Sequence, residues 1–278
     1  MLPDEITILG DSKVQHGPMS DRAYLMSMAK EDRQDIISKL DKLSCEKGYT
    51  KIFAKVPDSC SPLFRQAGYI TEASVPGLFN GKEDAMFMGK YLNKERTQPA
   101  DPELIDNVIE VAKDKAQSPP QIDIPQGYEV RTMNLQDVNK MAQVYKQVFD
   151  SYPFPVFDPD YLHETMESNV VYFGIIHKNR IVGLASAETD PKSLSAEMTD
   201  FATLPHHRGQ GLAAILLKFM QSEMSNSKIS TLYTIARSVS FGMNITFARA
   251  GFEFGGTLIN NTHIAGQIES MNVWHYSL

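Results

Sequence analysis

The sequence predicts an α/β (α+β) fold in which a mixed, mostly antiparallel sheet is flanked by helices. Three observations carry this. β-rich runs alternate with amphipathic stretches through residues 126–278. Two of those runs, Val170 to His177 and Ile181 to Ala187, meet at the short link Lys178-Asn179-Arg180, which reads as a hairpin. A glycine-rich turn, Arg208-Gly209-Gln210-Gly211-Leu212-Ala213, then leads from a strand directly into a helix.

Within residues 126–278 the elements follow in order. Tyr128 to Arg131 is a short strand, and Asp137 caps a helix that buries Val138, Met141, Val144, Tyr145 and Val148. A Pro-broken aromatic loop, Asp150 to Asp158, precedes a short helix from Pro159 to Glu167. Tyr152 and Phe154 in that loop either line a pocket or plug the edge of the core. After the hairpin, Ser195 to Leu204 extends the sheet. The turn opens a helix carrying Ile215, Leu216, Phe219 and Met220; a strand Ser230 to Ala236, a helix near Phe241 to Ala250 and a strand near Ile268 to Tyr276 complete the order β-α-α-β-β-β-α-β-α-β.

A chain of 278 residues is long enough for two domains with separate cores. The predicted division is 1–96, a linker at 97–125, and 126–278. Pro-rich ends bound the linker, and between them Leu104, Ile105, Val108, Ile109 and Ala112 recur at helical spacing, so its helix docks on a domain. The formal charge of -7 and the lack of a Lys/Arg-rich run argue against a nucleic-acid partner and favour a small cationic substrate. Met1-Leu2-Pro3-Asp4-Glu5 lacks a basic and an apolar region, and no run approaches the roughly 18 apolar residues of a membrane span. The expectation is a cytoplasmic protein away from membranes. Cys45 and Cys60 stand in no metal-ligand pattern, and the adjacent His206 and His207 diverge, so no metal is expected.

The turn carries the chemistry. Glycines let several backbone N–H groups converge without Cβ obstruction, and the helix N-terminus adds partial positive charge, so a pyrophosphate fits there. The sequence lacks the Gly-Lys-Ser/Thr of a P-loop and the GxGxxG after a first strand of a dinucleotide fold. With the strand order and the later Ala250-Gly251-Phe252, the C-terminal half resembles the GCN5-related N-acetyltransferase superfamily. The resemblance implies acetyl-coenzyme A as cosubstrate, with Arg208, Gly209, Gln210, Gly211, Leu212 and Ala213 holding its pyrophosphate. It implies that Phe201, Ala202 and Thr203 face the pantetheine arm and thioester, beside Asn244 and Phe247 on the following helix. Asn244 is either such a contact or a plain helix-surface amide.

Acetyl transfer to an amine needs a deprotonated nitrogen, whereas a free alkylammonium has a pKa of about 10.4, so a proton acceptor is required. Glu197 is the candidate. Strand alternation sets it on one face with Thr199, Phe201 and Thr203, and Asp200 on the other. It also occupies the place of the general-base glutamate in histone-acetylating members; the alternative is a solvated strand-end carboxylate. Where many members place a proton-donating Tyr, this chain has Phe247. Either another group protonates the leaving thiolate or it departs unassisted, as a thiol pKa of about 8.5 permits.

The tail, Gly255 to Ile264 and Ile268 to Trp274, and the upstream Val75-Pro76-Gly77-Leu78-Phe79-Asn80-Gly81 are similar to the β-lysine N-acetyltransferases. That resemblance implies a small diamino acid acceptor, formation of N6-acetyl-β-lysine as a compatible solute in osmoadaptation, and a place after lysine 2,3-aminomutase. Two ammonium groups and a carboxylate call for acidic and amide side chains and one Arg. Glu188, Glu269, Asn260, Asn261, Asn272 and Arg237 are available. Arg237 either grips the carboxylate bidentately or pairs with an acid of the protein.

A weak repeat links the halves. Lys51 to Val56, Arg65 to Tyr69 and Ala85 to Tyr91 parallel Thr231 to Ala236, Arg249 to Phe252 and Met271 to Tyr276. The N-terminal half lacks the glycine-rich turn, so it is expected to be a degenerate, non-catalytic acetyltransferase-like domain serving packing, homodimer formation or closure of the site. Competing readings are an acyl-coenzyme A binding sensor and an acetyltransferase for another polyamine or a protein lysine.

Overall fold

The computed structural model describes residues 4–118 and 122–278. Met1-Leu2-Pro3 and the Pro119-Pro120-Gln121 end of the predicted linker lie outside them. In the first half, β1 (Glu5–Leu9), β2 (Ser12–Gly17) and β3 (Arg22–Ser27) form an antiparallel meander. The helix α1 (Ile36–Lys47) crosses over to β4 (Lys51–Pro57), which lies parallel to β3. After α2 (Ser61–Gln66), β5 (Ile70–Phe79) and β6 (Glu83–Tyr91) pair with each other, and β6 also pairs with β4.

The linker helix α3 (Pro102–Ala116) is capped by the Asp101 carboxylate, which accepts from the Leu104 amide, and buries Ile105, Val108 and Ala112. The second half runs β7 (Tyr128–Thr132), α4 (Val138–Val148), α5 (Pro159–Ser168), β8 (Val170–His177), β9 (Arg180–Asp190) and β10 (Ser195–Thr203). It continues with α6 (Leu212–Asn226), β11 (Thr231–Arg237), α7 (Phe241–Arg249), β12 (Glu253–Ile264) and β13 (Gln267–Ser277). Lys178 and Asn179 at the β8–β9 link both have positive φ, as a two-residue hairpin turn that matches the strand twist requires.

Two sequence expectations differ here. The stretch Glu253–Ile264 is a strand, which the predicted element order does not contain; bulges between Phe254 and Gly256 and between Leu258 and Thr262 absorb its glycines and asparagines without breaking the pairing with β13. Asp137 is the N-cap residue of α4, as expected, but its carboxylate makes no cap hydrogen bond to that helix: it turns back to accept from the Asn134 amide and to pair with Arg131, while Asn134 caps the short 3-10 turn Leu135–Asp137.

All described strands join one sheet in the order β1-β2-β3-β4-β6-β5-β12-β13-β11-β10-β9-β8-β7. Read from each end, β1-β2-β3 with parallel β4 and then β6 and β5 has the same arrangement as β8-β9-β10 with parallel β11 and then β13 and β12. The outer strands β5 and β12 meet at Ala73 and Gly256. Gly256 has φ +141, and a Cβ there would collide with the Glu72 carbonyl, while one at Gly255 would collide with that of Ser74. This glycine pair lets the two edges touch. Tyr24, Phe53, Val75, Phe87, Tyr233, Leu258 and Val273 form one core across the junction, and α6, α7 and the end of α3 cover another face of the second half. Among the described residues, no helix is long and apolar enough to cross a membrane.

Candidate active site

The parallel pairing of β10 with β11 stops at Glu197 and Tyr233. Beyond it, Thr199 to Thr203 remain paired only with β9, and Ile235 to Arg237 only with β13. The strands therefore part into a wedge whose inner backbone groups face a cleft of about 1520 Å³. A strand edge with free N–H and C=O groups is suited to an extended, amide-bearing ligand arm.

The glycine-rich turn closes one end of this cleft, and residues 207–215 line it. Gly209 and Gly211 take φ of +76 and +73, which non-glycine residues reach only at a cost. Gly211 is the N-cap of α6 and has no side chain to occupy the first-turn amides, which stay available to an anion. Arg208 donates from Nε to the Thr203 carbonyl, fastening the turn to the end of β10. The Tyr128 hydroxyl joins His207 Nδ1 at 2.8 Å and Gln210 Oε1 at 3.0 Å, so His207 braces the turn. These features fit a nucleotide pyrophosphate: converging amides, an open glycine backbone and an Arg.

Beyond the wedge the cleft is acidic. Glu188 and Glu197 are register partners on β9 and β10. Burial, then the Glu197 and Asp200 charges, push the Glu188 carboxyl up to about 8. Burial also raises Glu197, against the opposing pull of Lys55 and a hydrogen bond from the Tyr233 hydroxyl. Lys55 in turn donates to the Tyr233 oxygen at 3.1 Å, so Lys55, Tyr233 and Glu197 form a chain. Alternation along β10 set Asp200 on the far face; the structure overturns this. A bulge between Thr199 and Ala202, with Asp200 at φ +56, turns its carboxylate into the cleft, where it accepts from Ser186 Oγ at 2.5 Å and from Tyr152. Burial raises Asp200 as well.

Of the residues singled out from sequence, Glu197, Glu188, Phe201, Thr203, Tyr152, Phe154, Phe247, Arg237 and Asn261 all line the cleft with the turn. Ala202 is buried in the core beneath α4 and α5, with Tyr145, Tyr172 and Leu184. Phe247 presents its ring edgewise to Phe201 and Phe252 and carries no hydroxyl. Four residues are not brought there as substrate groups. Asn244 is fully buried: its oxygen accepts from Trp274 Nε1 and Asn272 Nδ2, and its amide donates to the Arg237 and Ser240 carbonyls. Asn272 completes this set by accepting from Thr257. Asn260 spends its amide on the carbonyls of Arg96 and Gln98. Glu269 accepts two hydrogen bonds from Arg237 at 2.8 and 2.7 Å, so of the two roles the sequence left open for this guanidinium the structure shows the pairing with an acid of the protein.

Sequence reasoning missed the far wall, which comes from the first half: Lys13, Gln15, Arg22, Tyr24, Phe53 and Lys55. No motif marks these residues. Only the approach of β3 and β4 to β10 and β11 through the shared sheet brings them to the cleft.

Residues 138–252 match the model of the acetyltransferase (GNAT) family. The chain is 36% identical over 272 residues to a β-lysine N(6)-acetyltransferase of Methanococcus maripaludis, covering 98% of both chains. It is 34% identical over 229 residues to the N-acetyltransferase YodP of Bacillus subtilis, covering 80% of both. With a β-lysine N(6)-acetyltransferase of Methanosarcina mazei the identity is 40% over 151 residues, 54% of this chain and 56% of that one.

Proposed function

The chain belongs to the acetyltransferase (GNAT) family and is an acetyl-CoA-dependent N-acetyltransferase, and on that premise we propose that its acceptor is β-lysine, acetylated at the terminal N6 amine. One observation carries the reading: the full-length similarity to a β-lysine N(6)-acetyltransferase extends through both halves, and both halves line the cleft. The charge pattern supports it, since a dicationic amino acid meets carboxylates and buried cations in one enclosure. Acetylation of one ammonium leaves a zwitterion of no net charge, as suits a compatible solute.

The cosubstrate supplies an acetyl thioester. In our reading the turn at Arg208 to Ala213 holds its pyrophosphate and the free edges of β10 and β11 hold its arm. Glu197 receives the proton from the attacking amine, directly or through water, with Tyr233 and Lys55 setting its charge. Glu188 and Asp200 steady the acceptor's ammonium groups. The first half acts as a degenerate copy that lacks a cofactor turn and walls the acceptor end.

Thiol release on mixing the protein, acetyl-CoA and β-lysine, with mass spectrometry of the product, tests the reading. An acetylated product at N6 is expected. Thiol release with spermidine or a lysine peptide but none with β-lysine would reject the acceptor, and no release with any amine would favour an acyl-CoA sensor.

A further inference from the structure

Among the described residues, the buried lysine and arginines are matched to carboxylates with one departure. Lys51 pairs with Glu72 and Arg96 with Asp21. Arg22 is only 4% exposed, yet among the described residues no carboxylate lies within the 4.0 Å of an ion pair. Its contacts are neutral: the Asn261 carbonyl at 2.5 Å, Thr262 Oγ1 at 3.0 Å and Gln15 Oε1 at 3.4 Å. The Tyr24 and Phe53 rings lie beneath it at 5.2 and 5.6 Å. Its Nε is buried without a hydrogen-bond partner, and so is Asn261 Oδ1. Both side chains line the cleft.

A desolvated guanidinium without an anion is costly, and an orphaned donor and an orphaned acceptor on two residues that touch through Arg22 Nη1 and the Asn261 carbonyl add to that cost. Such a pair is stabilised by a ligand presenting an anion and a donor close together. β-Lysine has that head group, a carboxylate with an ammonium on the β-carbon, at the opposite end from N6.

We propose that Arg22 binds the carboxylate of the acceptor and Asn261 Oδ1 accepts from its β-ammonium, so that the first half of the chain selects the substrate. This deepens the acceptor assignment above and rests on it. The anchored head leaves the N6 end to reach toward the wedge. The same arrangement explains how Arg237 can be committed to Glu269 without leaving the substrate carboxylate unpaired. Burial lowers Arg22 to about 10, still charged at neutral pH, so the receptor is cationic when the acceptor arrives. The planar fork suits two carboxylate oxygens.

The test compares the full-length wild type with Arg22→Gln and Arg22→Lys on two acceptors, β-lysine and 1,4-diaminopentane, which is β-lysine without its carboxylate. On β-lysine, kcat/KM should fall about 100-fold in Arg22→Gln, the loss of a charge-assisted hydrogen bond, and less in Arg22→Lys, which keeps the charge but not the fork. The wild type should use 1,4-diaminopentane about 100-fold less well than β-lysine, and Arg22→Gln should use it within about threefold of the wild type. Acetyl-CoA affinity, unchanged in both variants, reports that they are folded; should Arg22→Gln fail to fold, Arg22→Lys gives the same comparison. Equal losses on both acceptors, or no loss on β-lysine, would overturn the anchor and leave the acceptor assignment standing. A wild type inactive on β-lysine would overturn the assignment itself, and the anchor with it.

Discussion

Glu188 and Glu197 stand opposite each other on neighbouring strands, and burial holds both above the ordinary carboxylate range. Glu188, pushed up to about 8, is largely protonated in the free enzyme at neutral pH. A bound ammonium favours the charged carboxylate, so acceptor binding should release a proton. Affinity therefore rises with pH up to about 8, by at most tenfold per unit. KM for β-lysine measured from pH 6 to 8 should fall, and Glu188→Gln should flatten that dependence.

The same displacement affects folding. A carboxyl titrating near 4.5 when unfolded and near 8 when folded binds more protons in the folded state between those values. Its contribution is full at low pH and is lost as pH rises through that window. Glu188→Gln should raise Tm at pH 8 and leave it nearly unchanged at pH 4.5; calorimetry at the two pH values checks this.

Glu197→Gln removes the proposed proton acceptor and little volume. A 10²-fold or greater fall in kcat, roughly the contribution of a positioned base, is expected, with acetyl-CoA affinity within about twofold of the wild type. Titration calorimetry and thiol-release kinetics on the same preparation separate the two. Retained turnover at neutral pH would remove Glu197 from the mechanism.

Loss of Arg237 acts on the fold before the substrate. Glu269 has a side chain 4% exposed, and Arg237→Gln strips it of its ion pair. The expected cost is about 2 kcal/mol of stability in chemical denaturation, with KM for β-lysine changed far less than by Arg22→Gln.

Gly211→Ala isolates backbone strain, since a Cβ there meets no neighbouring atom within 4 Å while φ is +73. The cost of about 1–2 kcal/mol falls on the turn that presents the first amides of α6. KM for acetyl-CoA should rise severalfold and KM for the acceptor should not.

Much of the second half was legible because its signals are local. The turn is recognisable since two positive-φ glycines before a helix leave few other uses for the backbone, and β8, β9, β10, α6, β11 and α7 show ordinary periodicity. β12 was not legible, because its glycines serve contact with β5 and its asparagines sit at a bulge. Asp200 was assigned to the wrong face for a related reason: alternation fails where a bulge inserts a residue, and nothing in Thr199-Asp200-Phe201 announces one.

Local sequence alone gives the glycine-rich turn ahead of a helix, most of the strands and helices around it, and the place of Glu197 on the strand that leads to it. Only the tertiary structure decided which charges are free. Arg237 and Arg22 are equally cationic on paper, but β11 and β13 bring Glu269 to the first, while Asn261 and Thr262 of β12 and Gln15 of β2 surround the second with neutral oxygens at the cleft. Whether a charge is neutralised depends on its neighbours in space, and those neighbours come from strands as far as 240 residues away along the chain.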